Sequence, residues 1–127
     1  MKISTADRLA IHELLALYGH LIDDREFLRL QEIFTKDAEF DLSLYGGMNY
    51  SGLEAIITMM QESEEHPLAH HTSNIVISTD GEAVSVKSKG IGVGYKGRVG
   101  SVIYRDVLIN TEKGWRIQQR SVELRQP

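Results

Sequence analysis

Apolar residues recur three and four apart through the first part of the chain. Ile11, Leu14, Leu15, Tyr18, Leu21 and Ile22 fall on that spacing, with Arg8, His12, Glu13 and His20 on the other side. This period places them on one stripe of an α-helix. Ser4 or Thr5 can cap it, and Asp7 falls in the first turn, where the helix dipole favours negative charge. Phe27, Leu30, Ile33 and Phe34 repeat the spacing for a second, short helix. The period then drops to two: Ala38, Phe40, Leu42 and Leu44 alternate with Glu39, Asp41 and Ser43, which predicts a strand with one buried face. Gly46-Gly47 interrupts it. Ser51-Gly52-Leu53-Glu54 then reads as a capping box for a third helix, with Leu53, Ile56, Ile57 and Met60 as its apolar face. From His70 onward every segment reads as β, punctuated by turns at Asp80-Gly81, Lys96-Gly97 and Lys113-Gly114. Three helices before a four-strand meander, with one extra strand between the second and third helices, predict an α+β fold. Its curved antiparallel sheet should wrap over the three N-terminal helices.

Length and composition narrow the class. The chain has 127 residues, 42% of them hydrophobic, enough for one domain over residues 1–127 with a proper core. Two prolines and 25% charged residues leave no sign of a linker or low-complexity segment. A net charge of −4 with scattered basic residues argues against nucleic acid as a partner. The absence of cysteine excludes disulfides, thiolate metal sites and thiol nucleophiles. No apolar run approaches membrane-spanning length and the N-terminus has no signal-like core, so a soluble cytoplasmic protein with no membrane partner is expected.

Two apparent motifs lose their force in context. Gly92-Val93-Gly94-Tyr95-Lys96-Gly97 matches the dinucleotide-binding string, but that string works only where a strand turns into a helix. Here a further strand follows, and the glycines are better suited to a bend or bulge in a curved sheet. His66 and His70 are separated by Pro67, and His70 and His71, as strand neighbours, point apart; neither pair suits a metal. What remains is a polar face. Strand alternation puts His70, Thr72 and Asn74 on one side and His71 and Ser73 on the other. An imidazole and an amide on a face that should bury aliphatics suggest a lined cavity. Far upstream, Asp23 and Asp24 end the first helix, where the macrodipole disfavours carboxylates and a nearby imidazolium would compensate. Periodicity does not choose between the two. Tyr18, at the centre of the apolar stripe, aims its hydroxyl inward, and Trp115 opens the last strand in a structural role.

The stretch Ile11-His-Glu-Leu-Leu-Ala-Leu-Tyr18, then Asp23, then Phe34-Thr-Lys-Asp-Ala-Glu-Phe40, resembles the SnoaL-like branch of the superfamily of ketosteroid isomerase, scytalone dehydratase and the nuclear transport factor-like proteins. His70-His-Thr-Ser-Asn74 and Gly114-Trp-Arg-Ile-Gln-Gln-Arg120 fit the same pattern, so the likeness runs over nearly the whole chain. It implies a cone-shaped α+β barrel around a deep apolar pocket. It also implies an aspartate near the end of helix one working with a histidine on the first meander strand, as in scytalone dehydratase and hexachlorocyclohexane dehydrochlorinase. The family spacing to Asp37-Ala-Glu-Phe40 selects Asp23, and the spacing to Asn74 selects His70. The chain departs from scytalone dehydratase in having no second pocket histidine in Gly90-Ile-Gly-Val-Gly-Tyr95.

These readings together predict a small-molecule lyase or isomerase of dehydratase type. His70 would be the general base and Asp23 would orient it and stabilise its charged form. Tyr18 and Asn74 would bind substrate, and no metal or organic cofactor would be needed. The alternative is a non-catalytic binding protein for a small hydrophobic ligand. A homodimer through the sheet is also expected. Val84, Val86, Val102, Tyr104 and Val122 belong to strands able to supply its apolar face, although the sequence does not give their direction.

Overall fold

The computed structural model describes residues 2–79, 81 and 83–127. Helix α1 spans Thr5–Asp23 and begins with a capping box: the Asp7 amide donates to Ser4 Oγ, and the Ser4 amide donates to the Asp7 carboxylate. The stripe read from the sequence is its buried face, joined by Gly19. The helix ends where Arg25 enters the left-handed region (φ 57°), with the Glu26 amide donating to the Leu21 carbonyl and the Arg25 amide to that of Ile22. This six-to-one and five-to-two pair satisfies carbonyls that the last turn leaves open.

The second helix is a single 3-10 stretch, Phe27–Glu32, and Phe34 does not belong to it; Phe34 opens strand β1, Phe34–Asp41. Leu42 and Leu44 lie beyond the strand. Asp41 Oδ1 accepts from the Ser43 amide, folding the chain into a 3-10 turn, Ser43–Tyr45, that leaves Leu44 exposed. Gly46 at φ 94° completes the reversal. A short strand not foreseen in the sequence, β2 (Asn49–Ser51), then pairs with β1. Helix α2 covers Leu53–Glu62, but its capping box does not form. The N-cap is Gly52, whose φ of 91° a serine would resist, and the Ser51 hydroxyl donates instead to the Glu39 carboxylate.

The meander is β3 (Ala69–Ser78), β4 (Val84–Val93), β5 (Val99–Thr111) and β6 (Gly114–Leu124). Lys96 and Gly97 both take positive φ in the β4–β5 connection, and Gly114 does so after Lys113. The turn at Asp80-Gly81 lies partly outside the described residues. Strand order in the six-stranded sheet is β2-β1-β6-β5-β4-β3, and only β1 against β6 is parallel. The sheet curves over α1 and α2, and α1 lies against β3. Val84, Val86, Tyr104 and Val122 face inward and are buried, so they do not form an outer apolar face. Outward positions on the same strands carry Ser85, Lys87, Lys89, Arg105, Gln119 and Ser121, with Arg105 paired to Glu123. The strand alternation was right; its side follows from the helices, which cover the apolar half. Trp115 is structural: its ring N–H donates to Asp7 Oδ1, tying β6 to the start of α1.

Candidate active site

Gly19 decides how close α1 comes to the sheet. A Cβ on this residue would stand 2.9 Å from the His70 carbonyl oxygen, a separation that real Cβ atoms avoid. Without one, the helix rests directly on β3 at His70. One turn later, Asp23 reaches the same residue. Its Oδ1 lies 2.6 Å from His70 Nδ1, and both carboxylate oxygens accept from the His70 amide at 3.0–3.1 Å. Three contacts thus fix the carboxylate against the imidazole. Both side chains are mostly buried, 19% and 16% exposed. With Nδ1 occupied, Nε2 is the ring nitrogen that has no protein partner among the described residues. The neighbours Asp24 and His71 are exposed.

His70 stands on the wall of a cavity of about 610 Å³ between the sheet, α1 and α2. Its deep walls are Tyr18, Ile22, Phe40, Met60, Tyr104 and Val122, all buried. Tyr45, Tyr95, Arg98 and Glu65 line the exposed mouth. Space for the cavity comes partly from Gly92 on β4 and Gly94 just past its end, both on the cavity wall. The G-x-G-x-x-G string therefore serves as a wall without side chains, and Gly92 is met by the Pro67 ring. His66 also borders the cavity, but its Nε2 is hydrogen-bonded to the Met60 carbonyl, 2.8 Å away. Among the described residues, no three His, Cys, Asp or Glu side chains cluster to hold a metal.

Of the four residues singled out from the sequence, the structure brings Asp23, His70 and Tyr18 to one place. The Tyr18 ring stands edge-on to His70, centroids 6.4 Å apart. Burial pushes the Tyr18 phenol well above its ordinary pKa, with the charge of Arg120 opposing. Asn74 is elsewhere. A bulge between Ser73 and Val76 breaks the strand's alternation, and Asn74 sits in it at φ 54°, exposed, its Oδ1 accepting from the Ser73 hydroxyl. Asparagine tolerates the left-handed region better than most residues, which is the one sequence signal for this outcome.

Sequence reading missed the group beneath the cavity floor. Arg120, fully buried, makes a two-pronged ion pair with Asp106: Nε to Oδ1 at 2.7 Å and Nη2 to Oδ2 at 2.9 Å. Its guanidinium lies 4.0 Å from the Tyr104 ring centroid and 4.5 Å from that of Tyr18. Burial works against this charge, but the Asp106 carboxylate more than offsets it and keeps Arg120 protonated. Arg120 was visible only as the end of the Gly114–Arg120 stretch. An inward arginine on a strand next to an inward aspartate on its neighbour is a signal that pairing register alone reveals.

An α+β barrel enclosing a cavity with a carboxylate–imidazole contact on its wall defines a recognisable class. A SnoaL-like domain matches residues 4–121, and the chain belongs to that family. It is 30% identical to the Mycobacterium tuberculosis protein Rv2910c over 91% of this chain and 83% of that one. A Novosphingobium aromaticivorans structure described as an aromatic ring hydroxylase is 28% identical, with a TM-score of 0.78 over 99% of this chain and 94% of that chain. A second structure from that organism, described as a scytalone dehydratase, shares the fold at 20% identity and a TM-score of 0.73, over 97% and 89% of the two chains.

Proposed function

We propose that this protein is a cofactor-independent lyase or isomerase of the dehydratase type, acting on a small hydrophobic molecule by proton abstraction. The observation that carries the reading is the 2.6 Å contact of Asp23 with His70 Nδ1, which leaves Nε2 for a ligand in the cavity. His70 Nε2 takes a proton from a carbon next to an electron-withdrawing group. Asp23 holds the ring in the tautomer that carries hydrogen on Nδ1 and stabilises the imidazolium that forms. Tyr18 shapes the floor on which the substrate lies. Membership of the SnoaL-like family and the scytalone dehydratase-like neighbour support this class of chemistry, although fold alone does not fix an activity.

A thermal-shift screen of apolar hydroxy-ketones and polyketide-like compounds should yield a ligand that is also turned over. His70→Ala should then lower kcat by about 10²–10⁴-fold while ligand binding persists, because a general base acts mainly in the transition state. Asp23→Asn should lower it by a smaller factor. Variants that bind and turn over like the parent would replace this reading with that of a binding protein.

A further inference from the structure

We propose that Arg98 is a specificity-determining residue, which selects substrates bearing a carboxylate at one end of a flat ring system whose other end meets His70. This rests on the proton-abstraction reading and names the substrate class for it: ring ketones that carry a carboxylate.

Arg98 follows the β4–β5 turn, and its backbone is held there on both sides. Its amide donates to the Tyr95 carbonyl at 3.3 Å, and its carbonyl accepts from the Gly94 amide at 2.6 Å. Lys96 and Gly97, with φ of 59° and 76°, make the turn that brings Arg98 opposite Gly94. A Cβ on Gly94 would lie 3.5 Å from the Arg98 Cβ, so the two residues share one side, and both line the cavity. Between Arg98 and His70 runs a strip of wall without side chains. His70 pairs directly with Gly92 on β4, and Gly92 with Gly100 on β5. All three line the cavity, and a Cβ on Gly100 would meet nothing within 4 Å. Strands lie about 4.8 Å apart, so the row from His70 to Gly100 spans roughly 10 Å, the reach of a two-ring carboxylate.

The Arg98 side chain is exposed and has no partner among the described residues. Its planar fork of donors matches a carboxylate with two parallel hydrogen bonds. The other polar groups on the wall do not compete for that anion. Glu65 lines the same mouth without pairing to Arg98, and it repels a carboxylate from its own side. His66 Nε2 is committed to the Met60 carbonyl. At the far end Asp23, 2.6 Å from the His70 ring, repels a carboxylate that enters head first. A ring acid therefore lies along the glycine strip with its charge outward at Arg98 and its reacting carbon inward at His70.

The probes are 2-naphthoate and 2-naphthamide, of one shape but with and without charge, titrated at neutral pH by calorimetry. The parent should hold the acid about 5-fold more tightly than the amide, the value of an exposed ion pair, and the preference should shrink as salt rises. Arg98→Gln, at an exposed position that leaves the core alone, should erase the preference and bind the amide as the parent does. Glu65→Gln should widen the preference. Equal affinity for both probes in the parent, uptake of neither, or an undiminished preference in Arg98→Gln overturns the assignment. His70→Ala separates the two readings. It should keep the preference, and its loss there would seat the carboxylate at the imidazole and overturn the role of Arg98. A preference that depends on Arg98, with no ring keto acid turned over, supports the arginine and removes the base.

Discussion

Gly19 is a residue whose absent side chain does the positioning. Glycine to alanine in a helix interior ordinarily stabilises by about 0.5–1 kcal/mol. Here the new methyl would meet a backbone oxygen at 2.9 Å, which cannot rotate away. Gly19→Ala should therefore forfeit that gain and push α1 off β3, lengthening the Asp23–His70 contact. NMR of the His70 Nδ1 proton checks this: faster exchange in the variant is expected, and an unchanged signal with a higher Tm would refute it. Asp106 is the opposite case, a side chain whose removal leaves a charge behind. Asp106→Asn strands the Arg120 guanidinium in the interior, and breaking one half of a buried pair costs about 3–5 kcal/mol. Denaturant unfolding should show a loss of that size, and a loss under 1 kcal/mol would mean that water reaches the pair.

At the scale of elements, α1 and β6 are tied by Asp7, which caps the helix and accepts from the Trp115 ring. The Ser4 backbone hydrogen bond, then those of Trp115 and the Ser4 hydroxyl, hold its carboxyl below the usual aspartate value of 3.8. A depressed folded-state pKa stabilises above the unfolded pKa and is lost as pH falls through the folded one. Thermal unfolding should thus lose stability below about pH 4, and Asp7→Asn should flatten that acid limb while lowering stability at neutral pH. A parent and variant with parallel pH curves would dismiss the role. The elements were largely legible in the sequence, since α1, α2 and four meander strands announced themselves by period. The ends of elements were less so: Leu42 and Leu44 kept the alternation past Asp41, where a side-chain-to-backbone bond had already ended the strand. Asp23 and His70 were legible through family spacing, because no local pattern says that a helix end and a strand start will touch. Asn74 was misplaced because one bulge reverses the side of everything after it. The inward side of Val84, Val86, Tyr104 and Val122 was not legible, because alternation groups residues without saying which group faces the helices.

For the whole molecule, the outer face of the meander carries Lys87, Lys89 and Arg105, with Glu123 among them. The homodimer through the sheet is accordingly proposed as a polar contact. Two copies of this net-basic face repel, so the dimer should tighten as salt rises, because exposed charges are screened beyond about 10 Å at 0.1 M. Sedimentation at low and high salt checks this, and a monomer at every concentration in high salt would end the proposal.

The place of β6 has a consequence for the making of the protein. This strand comes last in the meander yet lies between β1 and β5, parallel to the one and antiparallel to the other. A chain emerging from the ribosome must hold its first strands unpaired on that edge until residue 114 onward has been made. Closing so long a loop comes before any reward from the contacts, which slows folding. Helices formed early would wait with their apolar stripe uncovered, and the nascent chain should lean on chaperones in a way the finished barrel does not.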